Sequence, residues 1–340
     1  MSATPISPAR RRTILAALRR GTVPDSGLDL FAVGLDRLEP TVDVELAACR
    51  AGAASFTAIR GEYGSGKTFV SRWLGERAKA SGMAFAEVQI SETETPLHRL
   101  ETVYRRLCER LSTASDMPSA FRPVLDSWLY ALEEDVLADG TAFDGTALDG
   151  TGCADDADGL GRAVDELLER RLAALGRAAP GYAAGLRGYR RALAEGEIEI
   201  ADGVVAWLAG QPHVAAPAKR AAGVRGDIDH FLALGFLQGL LIVLRDAGHP
   251  GLVLVLDEVE TLQRVRSDAR AKALNALRQL LDEVDGGRFP GLYLVITGTP
   301  AFFDGRQGVA LLPPLAQRLH TDFSTDARVD KPPPPPPRAG

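Results

Sequence analysis

Gly61-Glu62-Tyr63-Gly64-Ser65-Gly66-Lys67-Thr68 fits the phosphate-loop pattern G-x-x-x-x-G-K-[ST]. Its flanks fit as well. Residues 55–60 (Ser-Phe-Thr-Ala-Ile-Arg) carry the β-branched and aromatic bias of a short strand. Residues 69–80 read as a helix with Val70, Trp73 and Leu74 on one face. A strand, a glycine-rich loop and a helix start are what a bound phosphate requires. Glycine lets the backbone curl round the anion without Cβ clashes. The N–H groups of the loop and of the helix N-terminus then converge on it. The expected nucleotide-binding set is Gly61, Glu62, Tyr63, Gly64, Ser65, Gly66, Lys67, Thr68 and Phe69. Lys67 would reach the β- and γ-phosphates, and the Thr68 hydroxyl would hold Mg2+. The bland alternative is a glycine-rich turn that matches by chance.

A second segment supplies acids. Leu252-Val253-Leu254-Val255-Leu256 is an unbroken apolar run ending in Asp257-Glu258. Such a run reads as a strand covered on both faces, as in a parallel sheet. The acids fall at its carboxyl end, where open α/β sheets bind ligands. Asp257 would hold Mg2+ and Glu258 would polarise the attacking water. Taken alone, the pair also suits the start of a following helix.

A third apolar run, residues 291–296, leads to Thr297-Gly298-Thr299-Pro300. Thr297 would meet the γ-phosphate or the attacking water, unless it is there only for its β-propensity. Arg318, in Pro314-Leu315-Ala316-Gln317-Arg318-Leu319, would offset transition-state charge in cis or on a neighbouring subunit, or is an ordinary surface arginine.

The fold class is therefore α/β: a phosphate-loop NTPase sheet, parallel and flanked by helices, interrupted by a long helical insertion. The domain reading follows. Residues 1–50 hold two helical segments and 51–96 the first part of the core, with a second strand at 84–90. Residues 97–225 form the insertion, with helices at 97–111, 119–137, 162–176 and 181–195 and a flexible Asp/Gly loop at 139–161. A Ca2+ loop within that stretch lacks its first ligand, which would be Ala154. Residues 226–330 are the second part of the core, beginning with a helix at 227–247, and 331–340 a proline-rich tail suited to polyproline II.

Composition bounds the rest. The 340 residues are 46% hydrophobic and 25% charged, which suits a globular chain with ample core. A net charge of −6 gives no overall signal for nucleic acid, and the arginine groups at 105–110 and 187–191 read as solvated helix faces. Cys49, Cys108 and Cys153 form no C-x-x-C pair, and the five histidines do not cluster. A reducing cytoplasm is the expectation. The basic start lacks a signal-peptide core, and the apolar stretch 231–244 is too short for a membrane span.

These segments together resemble the AAA+-type ATPases of bacterial phage defence, and most closely the ATP-binding protein family of BREX systems (BrxD-like), with a core similar to origin-recognition ATPases. The residues carrying the resemblance are 59–68, 223–229, 256–260, 296–303 and 315–319. It implies an ATP- and Mg2+-dependent ATPase that works with defence partners such as a helicase, on DNA, and forms a homo-oligomer. Relatives of this type carry a helical lid after the core. Here the similarity fades near Asp330, so the expectation is a relative without the lid. Three readings compete: an ATPase, a nucleotide-gated binding module with little turnover, and a small-molecule phosphotransferase. The last would need an acceptor pocket that no segment supplies.

Overall fold

The structure, a computed structural model, describes residues 7–24, 26–36, 38–116, 118–138, 153–319 and 329–330. In chain order it begins with α1 (Pro8–Arg19), α2 (Glu39–Arg50), β1 (Ser55–Arg60), α3 (Lys67–Ala80) and β2 (Ala84–Gln89). A helical run follows: α4 (Leu100–Arg110), α5 (Phe121–Ala138), α6 (Cys153–Ala178), α7 (Pro180–Ala194), α8 (Ile198–Leu208), α9 (Ala216–Ala221) and α10 (His230–Asp246). The chain then returns through β3 (Leu252–Asp257), α11 (Ser267–Asp285), β4 (Leu292–Gly298), α12 (Pro300–Asp304), α13 (Pro313–Arg318) and β5 (Val329–Asp330).

Contacts divide the chain into a sheet-bearing unit, residues 1–98 with 250–340, and a helical unit, residues 99–249. In the sheet-bearing unit the strand order is β2-β3-β4-β1-β5. The first four strands are parallel, and β5 runs antiparallel to β1. Every residue of β3 and β4 is buried, as expected of central strands covered on both faces. One face stacks Ile59, Phe85, Val253, Val255, Tyr293 and Val295 against Leu46 of α2 and Trp73 and Leu74 of α3. Alternation sends Leu252, Leu254 and Leu256 to the opposite face. Glu76 of α3 ties down the chain after α1: its carboxylate accepts from Gly27 N–H and, at 2.8 Å, from Leu28 N–H.

The helical unit is built around Phe236 of α10. The rings of Tyr104, Tyr182 and Trp207 meet it edge-on at 5.8, 5.1 and 5.2 Å, a geometry that adds to plain area burial. Close approach needs small residues: a Cβ on Gly239 would lie 2.7 Å from the Tyr182 ring.

The expected strands at 55–60, 84–90, 252–256 and 291–296 are all present, within a residue or two at their ends. Three features differ from expectation. The helix at 227–247, assigned to the nucleotide core, is α10, and its contacts are with α4, α5, α6 and α7. Residues 153–161 of the expected flexible loop belong to α6; acidic residues suit the first turns of a helix as well as a loop. The helices α8, α9 and α11 were not anticipated. The repeat at 139–152 and the tail at 331–340 lie outside the described residues.

Candidate nucleotide site

Strand register lines up the expected residues at the carboxyl ends of the sheet. Gln89 sits beside Asp257, Ile59 beside Thr297, and Arg60 beside Gly298. Because β4 lies between β1 and β3, Thr297 falls between the phosphate loop and the acids.

The loop itself runs from Gly61 into α3, which opens at Lys67, so Thr68 and Phe69 lie in its first turn. Gly66 precedes the helix in a left-handed conformation, φ 92°, ψ 17°, which favours glycine. Gly61 sits in a crowded place: an added Cβ would push Ser65 Oγ aside and lie 3.2 Å from Lys67 Cγ. Its N–H donates to Gly298 O at 3.1 Å, fixing the start of the loop to the end of β4. Phe69 turns its ring towards Phe31, centroids 6.4 Å apart, and packs on the core.

Lys67 is folded over the loop. Its ammonium donates to Gly61 O at 2.8 Å and Glu62 O at 3.3 Å, and lies 5.3 Å from the centroid of the Tyr63 ring. It also comes within 3.8 Å of Glu260 Oε1, on the turn that follows the acid strand. Lys67 and the Asp257-Glu258 segment thus converge despite their separation in sequence.

The acids form a connected group. Thr297 Oγ1 donates to Asp257 Oδ1, and the N–H of Glu258 donates to the same oxygen at 3.0 Å. Gln89 Nε2 donates to Glu258 Oε2 at 2.9 Å. Glu258 adopts φ 59°, ψ 41°, an uncommon conformation for a side-chain-bearing residue. Outliers of this kind concentrate at functional sites. Burial pushes the Glu260 carboxyl above the usual carboxylate range; its own backbone N–H and then Lys67 oppose the shift, and Glu258 and Asp257 add to it.

Arg318 is placed differently. Its guanidinium is taken up by Asp282, at 2.6 Å, and by Asp285 of α11. Thr299 is buried just past β4, at the cap of α12. Three residues with a place in this region had no expected role. Glu260 faces Lys67. Arg264 donates to Tyr63 Oη at 3.1 Å, linking the acid turn to the phosphate loop. Arg60 donates to Asp304 at 2.6 Å and to Leu319 O at 2.8 Å.

A glycine-rich loop between β1 and α3, facing acids at the end of a parallel strand, defines a phosphate-loop nucleotide-binding protein. The family model described as BREX system ATP-binding protein BrxC/D matches residues 6–335, and the chain belongs to that family. It is accordingly an ATP-binding protein of a BREX phage-defence system. No curated protein and no solved structure matches the chain. No helix among the described residues is long and apolar enough to cross a membrane.

Proposed function

We propose that the chain is an AAA+-like ATPase that hydrolyses ATP with Mg2+. The observation that carries this reading is the Thr297–Asp257–Glu258 group set against the Lys67 ammonium through the turn bearing Glu260. Lys67 would leave the Gly61 and Glu62 carbonyls for the β- and γ-phosphates. Backbone N–H groups at the start of α3 would complete the cradle. Glu258 would orient the attacking water, and Thr297 would both hold Asp257 and sense the γ-phosphate.

The oxygen donors of Thr68 and Asp257 suit a hard cation. Among the described residues no group of three His, Cys, Asp or Glu side chains could hold a metal alone. Sparse protein ligation is the habit of Mg2+, which takes its remaining oxygens from phosphates and water. When bound, it would neutralise charge on the β- and γ-phosphates.

The protein would act with other components of the defence system, such as a helicase, on DNA, with the helical unit as the surface offered to a partner. Homo-oligomerisation would give Arg318 a role in trans only if it leaves Asp282 and Asp285. A cytoplasmic setting is supported by Cys49 and Cys108, both free and buried.

A second reading is a nucleotide-gated module that seldom turns over. The hydrogen bond from Gln89 to Glu258 favours it, because it engages the carboxylate expected to orient water. One set of measurements separates the two: ATP binding and steady-state turnover with Mg2+, with and without DNA, beside Lys67→Ala and beside sizing in ATP. Turnover above the Lys67→Ala background supports the ATPase. Binding without such turnover supports the module. Loss of both overturns the site.

A further inference from the structure

Glu260 is a buried acid on the turn that follows β3. It is 4% exposed, and among the described residues neither carboxylate oxygen has a hydrogen-bond partner. A buried carboxylate is costly; its own backbone N–H, too poorly aligned to count as a hydrogen bond, gives it some electrostatic support, and an opposite charge nearby adds to that. That charge is the Lys67 ammonium, 3.8 Å from Oε1. Lys67 is itself shared, since Gly61 O and Glu62 O accept from it on the loop side.

We propose that Glu260 is a positioning residue for Lys67, holding the ammonium back against the acid turn and competing with the incoming triphosphate for it. The inference rests on the nucleotide-binding reading and deepens it. When Lys67 moves to the phosphates, Glu260 loses its cation while remaining out of water. Part of the free energy of phosphate binding is then spent on stranding that carboxylate. The phosphate loop is therefore detuned by an acid three residues beyond Asp257. The raised carboxyl pKa, caused first by burial, agrees with a group whose charged form is poorly solvated.

The test is a double-mutant cycle read as affinity for a fluorescent ATP analogue in EDTA, so that neither metal nor turnover enters. Glu260→Gln keeps the shape and removes the charge. It is expected to tighten binding about tenfold, the scale of one charge–charge interaction at a partly screened site. In a Lys67→Ala background the same change is expected to gain nothing. Unchanged or weaker binding by Glu260→Gln alone overturns the proposal. So does a gain that persists without Lys67, because Glu260 would then act on the phosphates directly. If Glu260→Gln does not fold, Glu260→Asp carries the test: the retracted carboxylate should tighten binding by a smaller factor, again only with Lys67 present. Absence of binding by the unmodified protein would instead refute the nucleotide site itself.

Discussion

The hydroxyl of Thr297, at the end of β4, donates to the carboxylate of Asp257, at the end of β3, and both side chains are buried. The bond joins two strands that the sheet has already placed in register, so the acid cannot rotate without losing a partner. Thr297→Val keeps the shape and removes the donor. It should lower stability by about 1–3 kcal/mol, the cost of under-satisfying a buried polar group. Chemical denaturation measures this. ATP turnover should fall more steeply than ATP affinity, and equal losses in both would show that Thr297 serves binding alone.

Glu258→Gln should leave ATP binding close to that of the parent protein and reduce turnover by about 10²–10⁴-fold, the range for loss of a general base. The Gln89 contact can persist with an amide in place of the carboxylate. Unchanged steady-state hydrolysis in the purified variant would remove Glu258 from the mechanism.

Gly61→Ala should distort the loop while sparing the rest of the fold. The new methyl group would displace Ser65 Oγ from its place and would still crowd Lys67 Cγ at 3.2 Å and Ser65 Cβ at 3.3 Å, so the loop would shift. Overpacking of this kind costs about 1–3 kcal/mol. The expected result is an unchanged circular dichroism spectrum with ATP affinity lowered about tenfold or more, a factor of ten being about 1.4 kcal/mol.

Glu76→Ala should loosen the segment between α1 and α2. Two backbone N–H groups, those of Gly27 and Leu28, would lose their carboxylate acceptor. Hydrogen bonds to a charged group contribute about 1.5–3 kcal/mol each, and the pair is not additive. Limited proteolysis should then cut within residues 20–38 at lower protease concentration than in the parent.

Cys49 and Cys108 should resist thiol reagents at pH 8 in the native protein. The Cys49 thiol is pushed up to about 12, first by burial and then by Glu45, and it donates to Leu292 O at 3.4 Å. Burial raises the Cys108 thiol as well. A raised thiol pKa keeps the group protonated until well above pH 8, and the thiolate is the reactive species. Mass spectrometry after alkylation should find both unmodified before unfolding and both modified after it.

The parts of the site that were legible in sequence are those governed by local rules. The loop needs glycine at fixed offsets, and apolar runs ending in Asp257 or Thr297 mark strands buried on both faces. Relationships across the chain were not legible. Lys67 and Glu260 meet only because β4 lies between β1 and β3, which seats the acid strand two places from the phosphate loop's strand. The one available signal was a further acid two residues after Glu258. Arg318 shows the reverse limit: a plausible local context does not reveal that Asp282 and Asp285 take up its charge. For α11 the signal was present, since Leu274, Leu277, Leu281 and Val284 carry helical spacing. The allegiance of α10 could not be read from its own pattern, because an apolar helix packs equally well on a sheet or among helices.

The register of β2 against β3 pairs Ala84 with Leu252, so two neighbouring strands are joined through the whole helical unit. Closing so large a loop is entropically costly, and distant pairings of this kind slow folding. During synthesis, the β1–loop–α3–β2 segment emerges complete long before the acids have been translated. The exposed edge of β2 must then wait for its partner, which makes this interval the one in which a newborn chain most needs protection from aggregation.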